Sequence, residues 1–159
     1  MKFNLIDQIE QLSDERIVAV KTVSLAEEYL ADHFPTFPVL PGVMMLEAIT
    51  QAAGWLLHHR TKFGKSMAVL KEAKNVKYGH FVAPGNELRV DVEYLKPTEA
   101  GASFKAIGYV GQMTAVQARV ELSYFNLADK QPALAHLDAK LVDHTKHRWT
   151  VLQQGRVEI

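Results

Sequence analysis

The chain contains no cysteine, so neither a disulfide framework nor a thiolate zinc site is open to it. It has no net charge either, with 18 Lys and Arg against 18 Asp and Glu. No overall field therefore draws it to nucleic acid or to a membrane surface. A long apolar run is also missing. The longest, Val43 to Leu57, is interrupted by Glu47 and Gln51 and falls short of a bilayer span. The opening residues, MKFNLIDQIEQLSDER, are too polar for a signal peptide. Repeats, low-complexity tracts and Gly/Ser linkers are absent. The expectation is a cytoplasmic protein.

What is present is 159 residues, 48% of them hydrophobic, which suits one domain with a sizeable core. Composition shifts near Asp129, where DKQPALAHLDAKLVDHTKHRW turns polar and rich in histidine. Residues 1–128 read as the domain and 129–159 as an extension packed on it. Within the extension AHLDAKLVDHTKHRWTVL reads as a helix, with Leu137, Leu141 and Trp149 facing inward.

RIVAVKTV (16–23) is β-branched and bounded by polar clusters, the pattern of a strand. ADHFPTFPVLPG follows. Its prolines at 35, 38 and 41 forbid a regular helix and make a stiff, extended loop. Pro41 stands where a helix should start, since its fixed φ suits the first turn and its missing N–H is no loss there. The helix from about 42 to 58 has good formers and ends in His58, His59 and Arg60, cations that suit its C-terminal dipole. Its apolar residues cover nearly every side, so it should be a buried, central helix. Four strands follow, at 67–78, 87–95, 103–110 and 114–125, with turns between them and no helical segment. They should pair as an antiparallel meander. One long apolar helix and one curved antiparallel sheet suggest an α+β architecture, the sheet wrapped around the helix.

Glu47 and Gln51 are four residues apart and share an edge of that helix. Either this edge reaches solvent or a basic partner, or the carboxyl is buried, its neutral form favoured and suited to acid–base work. His33 is either a hydrogen-bonded surface residue or part of the same site. Its loop runs into a helix N-terminus, which presents free N–H groups and a positive dipole. Gly42 there has no side chain to keep a ligand away. A candidate base, a candidate acid and an oxyanion site thus fall within fifteen residues. That chemistry suits proton abstraction beside a carbonyl. Spacing does not decide whether His33 and Glu47 meet within one chain or across two.

The stretch HFP…FPVLPGVMMLEAITQAAG closely resembles the signature of the hot-dog-fold 3-hydroxyacyl-(acyl-carrier-protein) dehydratases of the FabZ type. The match takes in the His, the Phe-Pro, the Pro-Gly-Val and the Glu-Ala-x-x-Gln, and APGNELRVDVEYLK resembles the family's Pro-Gly-Asp-x-Leu strand. A glutamate stands where the FabA type has aspartate. The resemblance implies dehydration of (3R)-hydroxyacyl to trans-2-enoyl groups in fatty acid or related acyl-chain synthesis, without a cofactor or metal. The acyl chain, carried on the phosphopantetheine arm of acyl carrier protein, would enter a tunnel at a homodimer interface; the family often forms trimers of dimers, homohexamers.

By the same resemblance His33 would remove the C2 proton. Glu47 of the partner copy would help the C3 hydroxyl leave. The Gly42 N–H, with Val43 beside it in the substrate-binding set, would hold the thioester oxygen, and Gln51 would orient Glu47. Asp32 and Thr36 stand where the family has glycine. Thr36 resists positive φ, and Asp32 beside His33 would favour imidazolium.

Arg60, Lys62, Lys65, Lys71, Lys74 and Lys77, opposed in sequence by Glu72, form either a solvated face or a dock for the acidic carrier protein. His136, His144 and His147 lack a metal-ligand pattern and read as surface. Two other functions remain open from the residues: an acyl thioesterase on the same fold, or a non-catalytic acyl-binding subunit.

Overall fold

The computed structural model describes residues 3–154. In chain order the elements are β1 (Gln8–Leu12), β2 (Arg16–Thr22), α1 (Tyr29–Asp32), α2 (Gly42–Arg60), β3 (Met67–Tyr78), β4 (Glu87–Pro97), β5 (Gly101–Val110), β6 (Met113–Phe125) and α3 (Ala135–Leu152). The strands form one antiparallel sheet in the order β1-β2-β4-β5-β6-β3. The sheet wraps α2, as the resemblance implied.

Strand alternation sets the inner face. On β4, Leu88, Val90 and Val92 are fully buried while Glu87 and Glu93 point out. On β6 the inward set is Val116, Ala118, Val120, Leu122 and Tyr124. Against them α2 packs Ile49, Ala52, Ala53 and Leu56, none with measurable exposure. The alanines let the sheet approach closely, while Ile49 and Leu56 each contribute about 2 kcal/mol by burial.

The four-strand meander is corrected in one respect. β4, β5 and β6 do follow one another, but β3 pairs with β6 on the far edge, Met67 opposite Phe125 and Tyr78 opposite Val116. β4 takes β2 as its other neighbour. The cause lies in the link 79–86. It does not turn tightly but crosses the start of α2, where Val82 is fully buried and its carbonyl accepts the Leu40 N–H at 2.9 Å. A connection tied there delivers the chain to the opposite side of the sheet.

β1 carries little strand signal, because an edge strand with one inward residue, Ile9, needs none. Its turn into β2 is held by the Ser13 hydroxyl, which accepts the N–H groups of Glu15 and Arg16.

α3 lies across the C-terminal half of α2. Trp149 and Leu152 join the core, Trp149 packing on Trp55, His59 and Phe63 at ring-centroid separations of 5.7 Å. Near its other end the buried Asp138 carboxylate accepts the Ser66 hydroxyl and the N–H groups of Leu127 and Ala128, the last two at 2.8 and 2.9 Å. Leu137 does not face inward; it is 37% exposed. Asp138 holds the inward position instead, and one residue turns a helix by about 100°.

Candidate active site

α1 ends at His33, whose N–H bonds the Tyr29 carbonyl at 3.2 Å. The loop before α1 is held by the buried Lys21 ammonium, which lies 2.7 Å from Glu27 and 3.2 Å from Asp7. Beyond His33 the chain reverses sharply. Phe34 sits at φ +52°, a strained conformation for a bulky residue, and its carbonyl accepts the Phe37 N–H at 2.7 Å. The positive φ anticipated as a difficulty at Thr36 therefore falls on Phe34. His33, Phe34 and Phe37 are exposed, while Val39 and Leu40 plunge into the core and fix the loop to α2. No ion pair joins Asp32 to His33 among the described residues.

Pro41 caps α2, its carbonyl accepting the N–H groups of Met44 and Met45. Those of Gly42 and Val43 precede the first possible intrahelical acceptor and have no partner among the described residues, which leaves them open to a ligand. Gly42 lies close under the Tyr78 ring: a Cβ would stand 3.1 Å from it, so the ring would have to shift by a few tenths of an ångström. Around this helix start lie further exposed apolar side chains, Val43, Tyr78 and Phe81, the last edge-to-face with Phe37 at 5.4 Å.

Glu47 lies one turn further along α2, half-buried. Its Oε1 accepts the Gln51 side-chain N–H at 3.0 Å. The same amide donates to the Phe3 carbonyl at 2.8 Å and accepts the Leu5 N–H at 2.9 Å. With its donors and acceptor occupied, Gln51 has one orientation, and it holds the carboxyl of Glu47 in place. From this pair an open cavity of about 310 Å³ runs along α2 past Trp55 to His58, bordered by His144 and Arg148 of α3.

His58 is buried. Burial pushes its imidazole down to about 4, so it is neutral near pH 7. Its Nδ1 lies 3.3 Å from the Tyr124 hydroxyl, which also accepts the Lys65 N–H at 3.0 Å and lies 2.8 Å from the Thr61 hydroxyl.

The structure places Gln51 on Glu47 and the loop of His33 against the start of α2. It does not join His33 to Glu47: no hydrogen bond links them among the described residues, and His33 does not line the cavity. Three of the six cations from residue 60 onward have acidic partners, Arg60 with Glu15, Lys71 with Glu121 and Lys74 with Glu72, and the Lys65 ammonium bonds the Tyr124 carbonyl. Glu15 and Glu121 are distant in sequence, so the charge of this ribbon is weaker than its local composition implies. His136, His144 and His147 are exposed, as expected, and His144 also borders the cavity; no three potential metal ligands gather among the described residues.

Tyr78, His58 and Arg148 were not singled out from sequence. His58 was within reach, since it extends the stripe of Glu47, Gln51 and Trp55 by one more turn. Tyr78 and Arg148 come from distant segments and carry no local signal.

Residues 1–119 match the family model described as a FabA-like domain. The chain is 33% identical over 132 residues to the 3-hydroxyacyl-(acyl-carrier-protein) dehydratase FabZ of Solibacter usitatus, covering 82% of each chain. It is 35% identical over 120 residues to the protein of that name from Protochlamydia amoebophila, covering 74% of this chain and 77% of the relative. Among solved structures it resembles the dehydratase heterocomplex ApeI:P from Xenorhabdus doucetiae, with a TM-score of 0.66 and 20% identity over 84% of this chain and 90% of that one. A hypothetical thioesterase with coenzyme A from Streptococcus pneumoniae gives 0.57 and 12% over 74% and 84%. These two likenesses concern the fold alone. The fold is the hot-dog fold, and by the family model and the identity to its curated relatives this chain belongs to the FabA-like family, among its FabZ-type members.

Proposed function

We propose that the chain is a hydro-lyase that dehydrates (3R)-hydroxyacyl groups on acyl carrier protein to trans-2-enoyl thioesters in fatty acid or related acyl-chain biosynthesis. The supporting observation is the Glu47 carboxyl, held by Gln51 at the mouth of a cavity, in a chain whose relatives above 30% identity carry the dehydratase name. The thioesterase reading is not favoured, since the likeness to a thioesterase is one of fold only.

In this reading His33 takes the C2 proton of the substrate. The electron pair left on C2 delocalises into the thioester carbonyl, and the charge gathering on its oxygen meets the free N–H groups of Gly42 and Val43 at the positive end of α2. Collapse of this enolate forms the C2–C3 double bond and breaks the C3–O bond. Glu47 protonates the departing hydroxyl, which leaves as water; His33 then releases its proton to solvent and Glu47 takes one up, restoring both groups. No electrons are exchanged with a cofactor.

The residues of one copy do not complete the site. His33 belongs with the exposed apolar surface of Phe34, Phe37, Val43, Tyr78 and Phe81, a patch of the kind that marks an interface. The outer edge of β3 also lacks a neighbouring strand among the described residues. A second copy covering this surface would bring its Glu47 to His33, giving a dimer with two shared sites, a unit that larger assemblies such as trimers of dimers would repeat. Carrier-protein docking on the ribbon from Arg60 to Lys77 would rely most on Lys62 and Lys77, the two without a partner among the described residues.

Absorbance of the enoyl thioester tests the proposal. The purified protein should hydrate crotonyl or longer enoyl carrier-protein thioesters, and Glu47→Gln should abolish this while keeping carrier binding. No turnover above the His33→Ala protein across carriers and chain lengths would refute it, and release of free thiol would indicate a thioesterase.

A further inference from the structure

The cavity that begins at Glu47 does not end in a purely apolar wall. Glu47 to His58 spans eleven residues of α2, roughly 16 Å at the helical rise. Across that distance the lining changes character. Near Glu47 it is framed by the amide of Gln51; in the middle it has Gly54, Trp55 and Ala68; at the far end it gathers His58, His144 and Arg148. Glu47 is the single acid in the lining, and it lies at the opposite end.

The polar groups of the far end have donors to spare. Arg148 makes a long 3.4 Å bond from its guanidinium to the Ile6 carbonyl and has no acidic partner among the described residues. His58 uses Nδ1 on Tyr124, and no protein partner meets its Nε2 among the described residues, on a ring that lines the cavity. With Nδ1 tied to Tyr124, the remaining ring nitrogen can donate to a group placed in the cavity. The segment that supplies Arg148 and His144 is α3, which Asp138 and Trp149 fasten over this end of α2. So the far wall is a fixed feature of the chain.

We propose that this end receives the distal end of the acyl chain and selects acyl groups that finish in a carboxylate over chains of equal length that finish in a methyl. This rests on the dehydratase reading, in which C3 lies at Glu47 and the remaining carbons must run away from it. The carboxylate meets the guanidinium of Arg148 with the imidazole of His58 as a second donor, and Trp55 packs against the methylenes between. A methyl end offers these groups nothing and strips them of water.

The experiment compares kcat/KM for three 3-hydroxyacyl thioesters of equal length ending in carboxyl, hydroxyl or methyl, with 3-hydroxybutyryl thioester as a substrate too short to reach the far end. The carboxyl-ended substrate should exceed the methyl-ended one by at least ~10-fold, with hydroxyl between, since hydrogen bonds to charged groups are the strong ones. Arg148→Met should bring the carboxyl-to-methyl ratio to about one, and Arg148→Lys should restore part of it. Circular dichroism checks that both variants fold.

Equal values for the three ends, or an Arg148→Met effect equal on all three, would overturn the proposal. Lack of His33-dependent turnover of 3-hydroxybutyryl thioester would instead overturn the dehydratase reading. In that event titration of tryptophan fluorescence with saturated carboxyl-ended and methyl-ended acyl pantetheines still decides the preference, tighter binding of the carboxyl end supporting it and equal binding refuting it.

Discussion

The two ends of α2 are built on opposite terms. At its N-terminus His33, Phe34, Phe37, Val43 and Tyr78 are exposed, Phe34 is strained, and the N–H groups of Gly42 and Val43 are unclaimed among the described residues. At its C-terminus His58, Trp149 and Asp138 are buried, and side-chain hydroxyls and backbone amides converge on Tyr124 and Asp138. One end is finished by its own chain; the other is left exposed. Changes at the open end should therefore act on turnover with little cost in stability, and changes at the closed end should act on stability first.

The sharpest contrast comes from His33→Ala. Loss of a general base should lower kcat/KM by about 10²–10⁴-fold, while the melting temperature hardly moves because the side chain is exposed. A matching fall in melting temperature would break the comparison.

Next is the pH dependence of stability through His58. Its folded value of about 4 lies below the ordinary histidine value of 6.5, so between these the unfolded chain binds the extra proton. Stability should be intact above pH 6.5, fall as pH drops toward 4, and lose about 3 kcal/mol in all. Denaturant titrations across that window would measure it, and a His58→Gln protein should lack the slope.

A smaller effect belongs to Gln51→Ala. Freed from its amide, Glu47 should lose orientation, lowering kcat roughly tenfold with little change in KM. An unchanged kcat would mean that Gln51 serves only to tether Phe3 and Leu5.

Least is the acid response at Asp138. Burial works to raise this carboxyl, but the Ser66 hydroxyl and the Ala128 and Leu127 amides outweigh it and hold it below its ordinary range. The grip on α3 should persist through mildly acid pH and loosen only as pH falls through that lowered value. In a Trp55→Phe background, Trp149 fluorescence would report it.

These contrasts also mark what the residues reveal by themselves. Local signals were plain where one segment decides the outcome: the alternation in ELRVDVEYL, the prolines ahead of α2, and the helical spacing that sets Gln51 on Glu47. They fell short where distant segments meet. The placement of β3 beside β6 depends on where Val82 is tied, and the phase of α3 on Asp138 meeting Ser66. The far wall of the cavity combines His58 with Arg148, ninety residues later in the chain.

The central claim is that His33 of one copy works with Glu47 of another, and complementation tests it most directly. His33→Ala and Glu47→Gln proteins, each inactive alone, are mixed, unfolded together and refolded. If the site spans a symmetric dimer, half the dimers carry one intact site, and activity should return to about one quarter of the wild-type value. A mixture as inactive as its parents, beside an active wild-type control treated in the same way, would contradict the account.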